Sequence, residues 1–140
     1  MNRLLLSRIL LSFILVFGSA MSFVLDWSRN HLLNPLWHPH ARFHSAVLLF
    51  FFAGVAATGL WLLWRENDPR AGVTAAAALS ASYWMPFFFV PLVLPQASYW
   101  AGTPGHEPHF HGMIFYPNLL VIGLFLMLTL IAWGIGRKAA

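Results

Sequence analysis

Four stretches of the chain, Leu4 to Leu25, Ser45 to Trp64, Ala71 to Pro95 and Pro117 to Gly136, run for 20 to 25 residues with a single charged side chain, Arg8, among them. At about 1.5 Å rise per residue, a helix of that length crosses a hydrocarbon core about 30 Å thick. Only helices and closed barrels satisfy their backbone in lipid, and runs that are apolar throughout, rather than at alternate positions, disfavour a barrel. The expected fold is therefore all-α: an antiparallel bundle of four transmembrane helices, spans 4–25, 45–64, 71–95 and 117–136, in a single integral membrane domain covering residues 1–140. Composition agrees, since 9% of the residues are charged against about 25% in an ordinary soluble domain. No internal repeat or low-complexity tract appears. The alanine-rich TAAAALSAS, residues 74–82, lies inside the third span and suits close helix packing.

The first twenty residues have a basic start, an apolar middle and a small-residue end, the outline of a cleavable leader. The apolar run continues past Ala20 through MSFVL, so an uncleaved first span is expected. Basic residues accumulate on the cytoplasmic side of short loops. Arg3, Arg8, Arg65, Arg70, Arg137 and Lys138 fall on one side and Arg29 and Arg42 on the other. Both termini and the RENDPR turn are then expected in the cytoplasm of a multi-pass plasma (inner) membrane protein, with residues 26–44 and 96–116 facing the periplasm or exterior. The net charge of +4 follows from that topology and from attraction to anionic lipid, with no need for nucleic acid.

Cysteine is absent, which excludes disulfides, thiolate metal sites and a cysteine nucleophile. All seven histidines lie in the two outer segments: His31, His38, His40 and His44 in the first, His106, His109 and His111 in the second. Asp26 and Glu107 lie beside them, while Glu66 and Asp68 sit in the inner turn. Four antiparallel spans carry both outer segments to one face of the bundle. Imidazole and carboxylate are ligands that zinc, iron and copper(II) accept. A divalent-metal site is therefore expected, drawn from Asp26, His31, His38, His40, His44, His106, His109 and His111. A pH-sensing cluster or proton relay is the alternative for the group, and an interfacial or hydrogen-bonded role for any one histidine.

Local spacing adds detail. Pro39 suits the first position of a helix with His38 just before it, so the second helix is expected to begin near PHARFH. His40 and His44 are then four apart on one helical face, a half-site for one ion. In GHEPHFHG, His109 and His111 are two apart, which places them on one side of an extended stretch, and Pro108 keeps Glu107 out of a helix. Glu107 is the candidate general acid or base beside a metal-activated water, and Asp26 is either a ligand or an acceptor that orients a bound imidazole. Arg42 faces away from the histidine pair, towards a lipid phosphate, Asp26 or an anionic substrate.

Most of the aromatic residues form interfacial belts: Trp27, Trp37, Tyr99, Trp100 and Tyr116 outside, Trp61 and Trp64 inside. Tyr83 and Trp84 are left over, followed by MPFFFVPLVLP, where Pro86 and Pro91 interrupt the third span. Such prolines make a kinked structural helix or the wall of a cavity at membrane depth. A cavity there would open towards the histidines and suit a lipidic or aromatic molecule.

The segment from Asp26 to His44, DW…H…NPLW.PHARFH, resembles the signature of a family of small four-span membrane proteins of unknown function. The matching residues are Asp26, Trp27, His31, Asn34, Pro35, Trp37, Pro39, His40, Ala41, Arg42, Phe43 and His44. The resemblance implies a four-helix membrane fold and supplies no activity, substrate or cofactor. Three readings of function follow from the residues. One is a metal-dependent membrane enzyme that hydrolyses, isomerises or oxidises a hydrophobic substrate. Another is an extracytoplasmic metal-handling or sensing protein, for which Met21 and Met113 are additional soft ligands. The third is a structural subunit of an oligomer or larger membrane complex.

Overall fold

The computed structural model describes residues 2–65, 67–103 and 105–138; Glu66, placed by the sequence in the turn opposite the histidines, lies outside them. The described residues form five helices and one small hairpin: α1 Arg3–Asp26, α2 Pro39–Trp64, α3 Pro69–Trp84, α4 Pro86–Val93, β1 His109–Phe110, β2 Met113–Ile114 and α5 Pro117–Gly136. Four of the helices open on a proline, whose fixed φ suits a first turn and whose missing N–H is unpaired there in any helix. At α1 and α3 a side chain accepts from orphan donors of the first turn. Asn2 Oδ1 accepts from the Leu4 N–H at 2.9 Å, and Asp68 Oδ1 accepts from the N–H groups of Arg70 and Ala71 at 3.1 and 3.0 Å.

Four helical segments, Arg3–Asp26, Pro39–Trp64, Pro69–Val93 and Pro117–Gly136, are long and apolar enough to cross a membrane, as the four-span expectation required. The second begins six residues before its apolar run because Pro39 and His38 start the helix, with His38 Nδ1 accepting from the His40 N–H at 3.2 Å. The third is two helices rather than one. Pro86 has no N–H for the Ser82 carbonyl, so α3 ends at Trp84 and α4 resumes after Met85, whose own backbone stays α-helical (φ −62°, ψ −38°).

The helices pack as an up-and-down bundle with α1 and α3 in the middle: each touches α2 and α5 and they touch one another, whereas α2 and α5 do not meet. Antiparallel order is written in the cross-helix hydrogen bonds. Ser7 Oγ, near the start of α1, donates to the Ala132 carbonyl near the end of α5 at 2.7 Å. Trp64 Nε1, at the end of α2, donates to Ser12 Oγ at 2.9 Å. Trp133 Nε1 donates to Thr74 Oγ1 in α3 at 3.3 Å. Both histidine-bearing segments therefore lie at the other end of the bundle.

Small residues let the backbones approach. A Cβ on Gly72 would run into the Leu62 carbonyl oxygen, and one on Gly136 into Ser7 Oγ. The fully buried hydroxyls of Ser80 and Thr129 bond at 2.9 Å between α3 and α5. In lipid, where apolar surfaces gain little by leaving the solvent, close packing and such bonds hold helices together. Leu11, Leu15, Leu63, Val73, Ala76 and Ala132 fill this half of the core, while Ile14, Phe52, Trp84, Ile122 and Phe125 fill the half nearer the histidines. At the small-residue end three guanidinium groups lie over indoles, Arg8 on Trp64, Arg65 on Trp61 and Arg137 on Trp133, an arrangement suited to a headgroup layer.

Candidate functional site

The segment between α1 and α2 folds down onto the bundle. Leu32 is 6% exposed, its N–H bonds to the Asp26 carbonyl at 3.0 Å, and Arg42 Nη2 donates to the Asn34 carbonyl at 2.6 Å. Arg42 thus stitches the segment to the first turns of α2, and among the described residues it makes no ion pair with Asp26. The segment before α5 is held mainly to itself and to its own flanks. Asn118 Nδ2 donates to the Tyr99 carbonyl at 3.1 Å, and Tyr99 Oη donates to the Phe88 carbonyl at 3.3 Å. Strands β1 and β2 pair as an antiparallel hairpin, His109 with Ile114 and Phe110 with Met113. Its two-residue turn is His111–Gly112, both at positive φ, +48° and +80°, the combination that matches strand twist in a tight hairpin. His111 is therefore a turn residue, and the extended stretch that was to put His109 and His111 on one side ends at Phe110.

This architecture decides which candidate ligands meet. His40 and His44 do, one helical turn apart, with Nε2 atoms 3.0 Å from each other. Asp26 and His31 do, with Oδ1 and Nε2 4.0 Å apart, within reach of an ion pair but beyond a hydrogen bond; Ser28 Oγ lies 3.4 Å from the other ring nitrogen of His31. His38 is engaged in capping α2. His106, His109, His111 and Glu107 belong to the segment that leads into α5, the helix that α1 and α3 separate from α2. Among the described residues no group of three or more histidine, aspartate or glutamate side chains lies close enough to hold a metal ion. The carboxylate of Glu107 accepts from the Gly105 N–H at 3.1 Å. Its own N–H and that of Gly105 hold its pKa below the usual range, helped by the charges of His109 and His106.

Next to the Asp26–His31 pair is a cavity of about 420 Å³, within the size range of small-molecule sites. Its polar lining residues are Asp26, His31, Ser45, Ser82 and Tyr83; Trp37, Leu48, Leu49, Phe51 and Phe87 are among the apolar ones. The break at Pro86 shapes it: Pro86 and Phe87 line this cavity and also a second one of about 250 Å³, on which Val90, Pro91 and Tyr99 border. Tyr83 is fixed from two sides. Its ring stacks on that of Phe52, centroids 3.3 Å apart, and its hydroxyl bonds with Ser22 Oγ at 3.1 Å. Ser22, Ser45 and Ser82 were not singled out by sequence reading. A signal for Ser22 existed, since it stands four residues before Asp26 and so on the same face of α1.

A family model, the family of unknown function DUF6640, matches residues 10–132, nearly the whole of the described bundle. The chain belongs to this family. No curated protein and no solved structure matches it significantly. Membership assigns no activity, so the reading of the site rests on its geometry.

Proposed function

We propose that this chain is an integral membrane protein that takes a hydrophobic or lipidic molecule into the cavity between α1, α2 and the α3–α4 break, with the polar end of that molecule at Asp26 and His31. The observation that carries the reading is the composition of the cavity: a largely apolar and aromatic lining that includes one carboxylate–imidazole pair, Asp26 and His31. Most of its lining comes from helices long and apolar enough to cross a membrane, which favours entry of an apolar occupant from the bilayer.

The pair suits proton transfer. A histidine beside a carboxylate can accept or release a proton at the reacting end of a bound molecule while the aspartate offsets the imidazolium charge. We therefore favour an enzyme acting on a hydrophobic substrate, by isomerisation or hydrolysis, over a passive carrier. The count of basic residues at the opposite end supports placing this pair on the extracytoplasmic side.

The test uses the full chain purified in detergent, extracted with organic solvent and analysed by mass spectrometry for co-purified apolar molecules. Ser45→Trp fills the cavity from α2; Leu124→Trp, on the exposed face of α5, is the control. The reading expects wild type and Leu124→Trp to carry the same molecule in comparable amount and Ser45→Trp to carry little. Equal recovery from Ser45→Trp would overturn it.

A further inference from the structure

The second imidazole pair borders neither cavity and is left over from the reading above. His40 and His44 are both exposed and lie on the first turns of α2, whose helical register Pro39 and the His38 cap establish. Their rings meet nearly at right angles, 89°, with centroids 4.4 Å apart and the Nε2 atoms facing one another at 3.0 Å. Phe43 packs beside both, with ring centroids 6.3 Å from His40 and 5.6 Å from His44. A bond between two neutral imidazoles in an exposed position contributes little, since water competes for both partners. The same two nitrogens are matched to a different occupant. Zinc–imidazole bonds are about 2.0–2.1 Å long, so two cis ligands at bond angles of about 90–109° stand about 2.8–3.4 Å apart. The observed separation falls inside that window.

We propose that His40 and His44 form a two-imidazole clamp for a borderline divalent cation, zinc or copper(II), bound through both Nε2 atoms. On binding, the Nε2 proton shared between the rings is given up, the donor ring keeping its proton at Nδ1, both rings turn so that their Nε2 lone pairs converge on the ion, and water completes its coordination. Copper(II) binds more tightly than zinc, while magnesium and calcium, which demand oxygen ligands, do not bind. Two protein ligands and the positive end of the α2 dipole, which opposes a cation, limit the affinity to the order of micromolar. The clamp is independent of the cavity, so its failure and the failure of the cavity reading are separate results.

The experiment is a calorimetric titration of the full chain, in nanodiscs of zwitterionic lipid, with ZnCl2, CuCl2 and MgCl2. Wild type should bind zinc and copper but not magnesium, with the copper-bound form showing nitrogen coupling from two imidazoles in its electron paramagnetic resonance spectrum. His40→Ala and His44→Ala should each weaken zinc binding by at least about tenfold, the loss of one of two protein ligands, while His38→Ala and His109→Ala should leave it unchanged. Should an alanine variant lose helix by circular dichroism, His40→Gln or His44→Gln, which keep the bulk of the side chain, replace it. Unchanged binding in the His40 and His44 variants, or an equal small loss in all four, would mean that scattered imidazoles hold the ion and would overturn the clamp.

Discussion

The two ends of this bundle are made from the same helices by opposite means. At the end carrying the start of α1, glycines and serines bring backbones into contact: Gly72 lies against Leu62, Gly136 against Ser7, and Ser7 bonds to a carbonyl of α5. At the histidine end, aromatic rings and prolines hold the helices apart, and two cavities open on either side of Pro86 and Phe87. A chain with little charge and abundant apolar surface could have packed tightly throughout. The closed end carries the close packing that the open end lacks, and the open end has the room that the proposed site requires.

The largest expected effect tests the closed end. Gly72→Val places a branched side chain where the Leu62 carbonyl oxygen already lies, and because the obstacle is backbone, α2 and α3 must separate. We expect a loss of about 3 kcal/mol, seen as a lowered midpoint of thermal unfolding in detergent; a midpoint unchanged from wild type would contradict the close approach. At the open end the corresponding test is Arg42→Ala. It removes the 2.6 Å bond to the Asn34 carbonyl, a charge-assisted contact of about 1.5 kcal/mol. The expected outcome is local: trypsin should cut after Arg29 faster than in wild type, while the unfolding midpoint moves less than in Gly72→Val. Equal midpoint losses in the two variants would erase the distinction between the ends.

The closed end was the more legible of the two in the sequence. Continuous apolar runs fix helices in lipid almost by length alone, and span 117–136 appears in the structure with the same limits. Pro39 located the start of α2 and with it the His40–His44 pair, because proline fixes a helix boundary locally. Pro86 and Pro91 marked the cavity wall for the same reason. The meeting of the two histidine segments was another kind of expectation. It depended on which helices are neighbours, and hydropathy is silent on that. The structure sets α1 and α3 between α2 and α5, and among the described residues no three of the candidate ligands come together. His111 also shows a local limit: next to Gly112 it adopts positive φ, which spacing alone does not reveal. Asp26 and His31 pair because Leu32 is buried and draws the segment back over the end of α1, a tertiary effect that no pattern of spacing records.

A smaller effect separates packing from hydrogen bonding at the closed end. Ser80→Ala deletes the 2.9 Å bond to Thr129 but preserves the small volume that lets α3 and α5 approach. Bonds of this kind between membrane helices are worth about 0.6 kcal/mol, so the variant should lower the unfolding midpoint slightly and far less than Gly72→Val. A loss as large as that of Gly72→Val would mean that the closed end is held by its polar contacts and only secondarily by close packing.

The smallest effect concerns Glu107, whose carboxylate accepts from the Gly105 N–H in the segment leading to the hairpin. Its pKa is depressed in the folded chain, first by its own backbone N–H and then by that of Gly105, with further lowering from His109 and His106. A depressed acid favours the fold above its unfolded pKa, and that contribution is lost as the pH falls through the folded value, here below the ordinary glutamate range. Around neutral pH the turn is thus fully formed and insensitive to small changes in acidity. The amide proton resonance of Gly105 should titrate with a midpoint below the ordinary glutamate range and should stop titrating there in Glu107→Gln, while the unfolding midpoint at pH 7 barely moves because the side chain is exposed to solvent. A midpoint above the ordinary range would reverse the sign of the interaction and place Glu107 in an environment that favours its protonated form, the condition for a general acid. In that event this segment, and not the Asp26–His31 pair alone, would have to be counted with the open end as a chemical site.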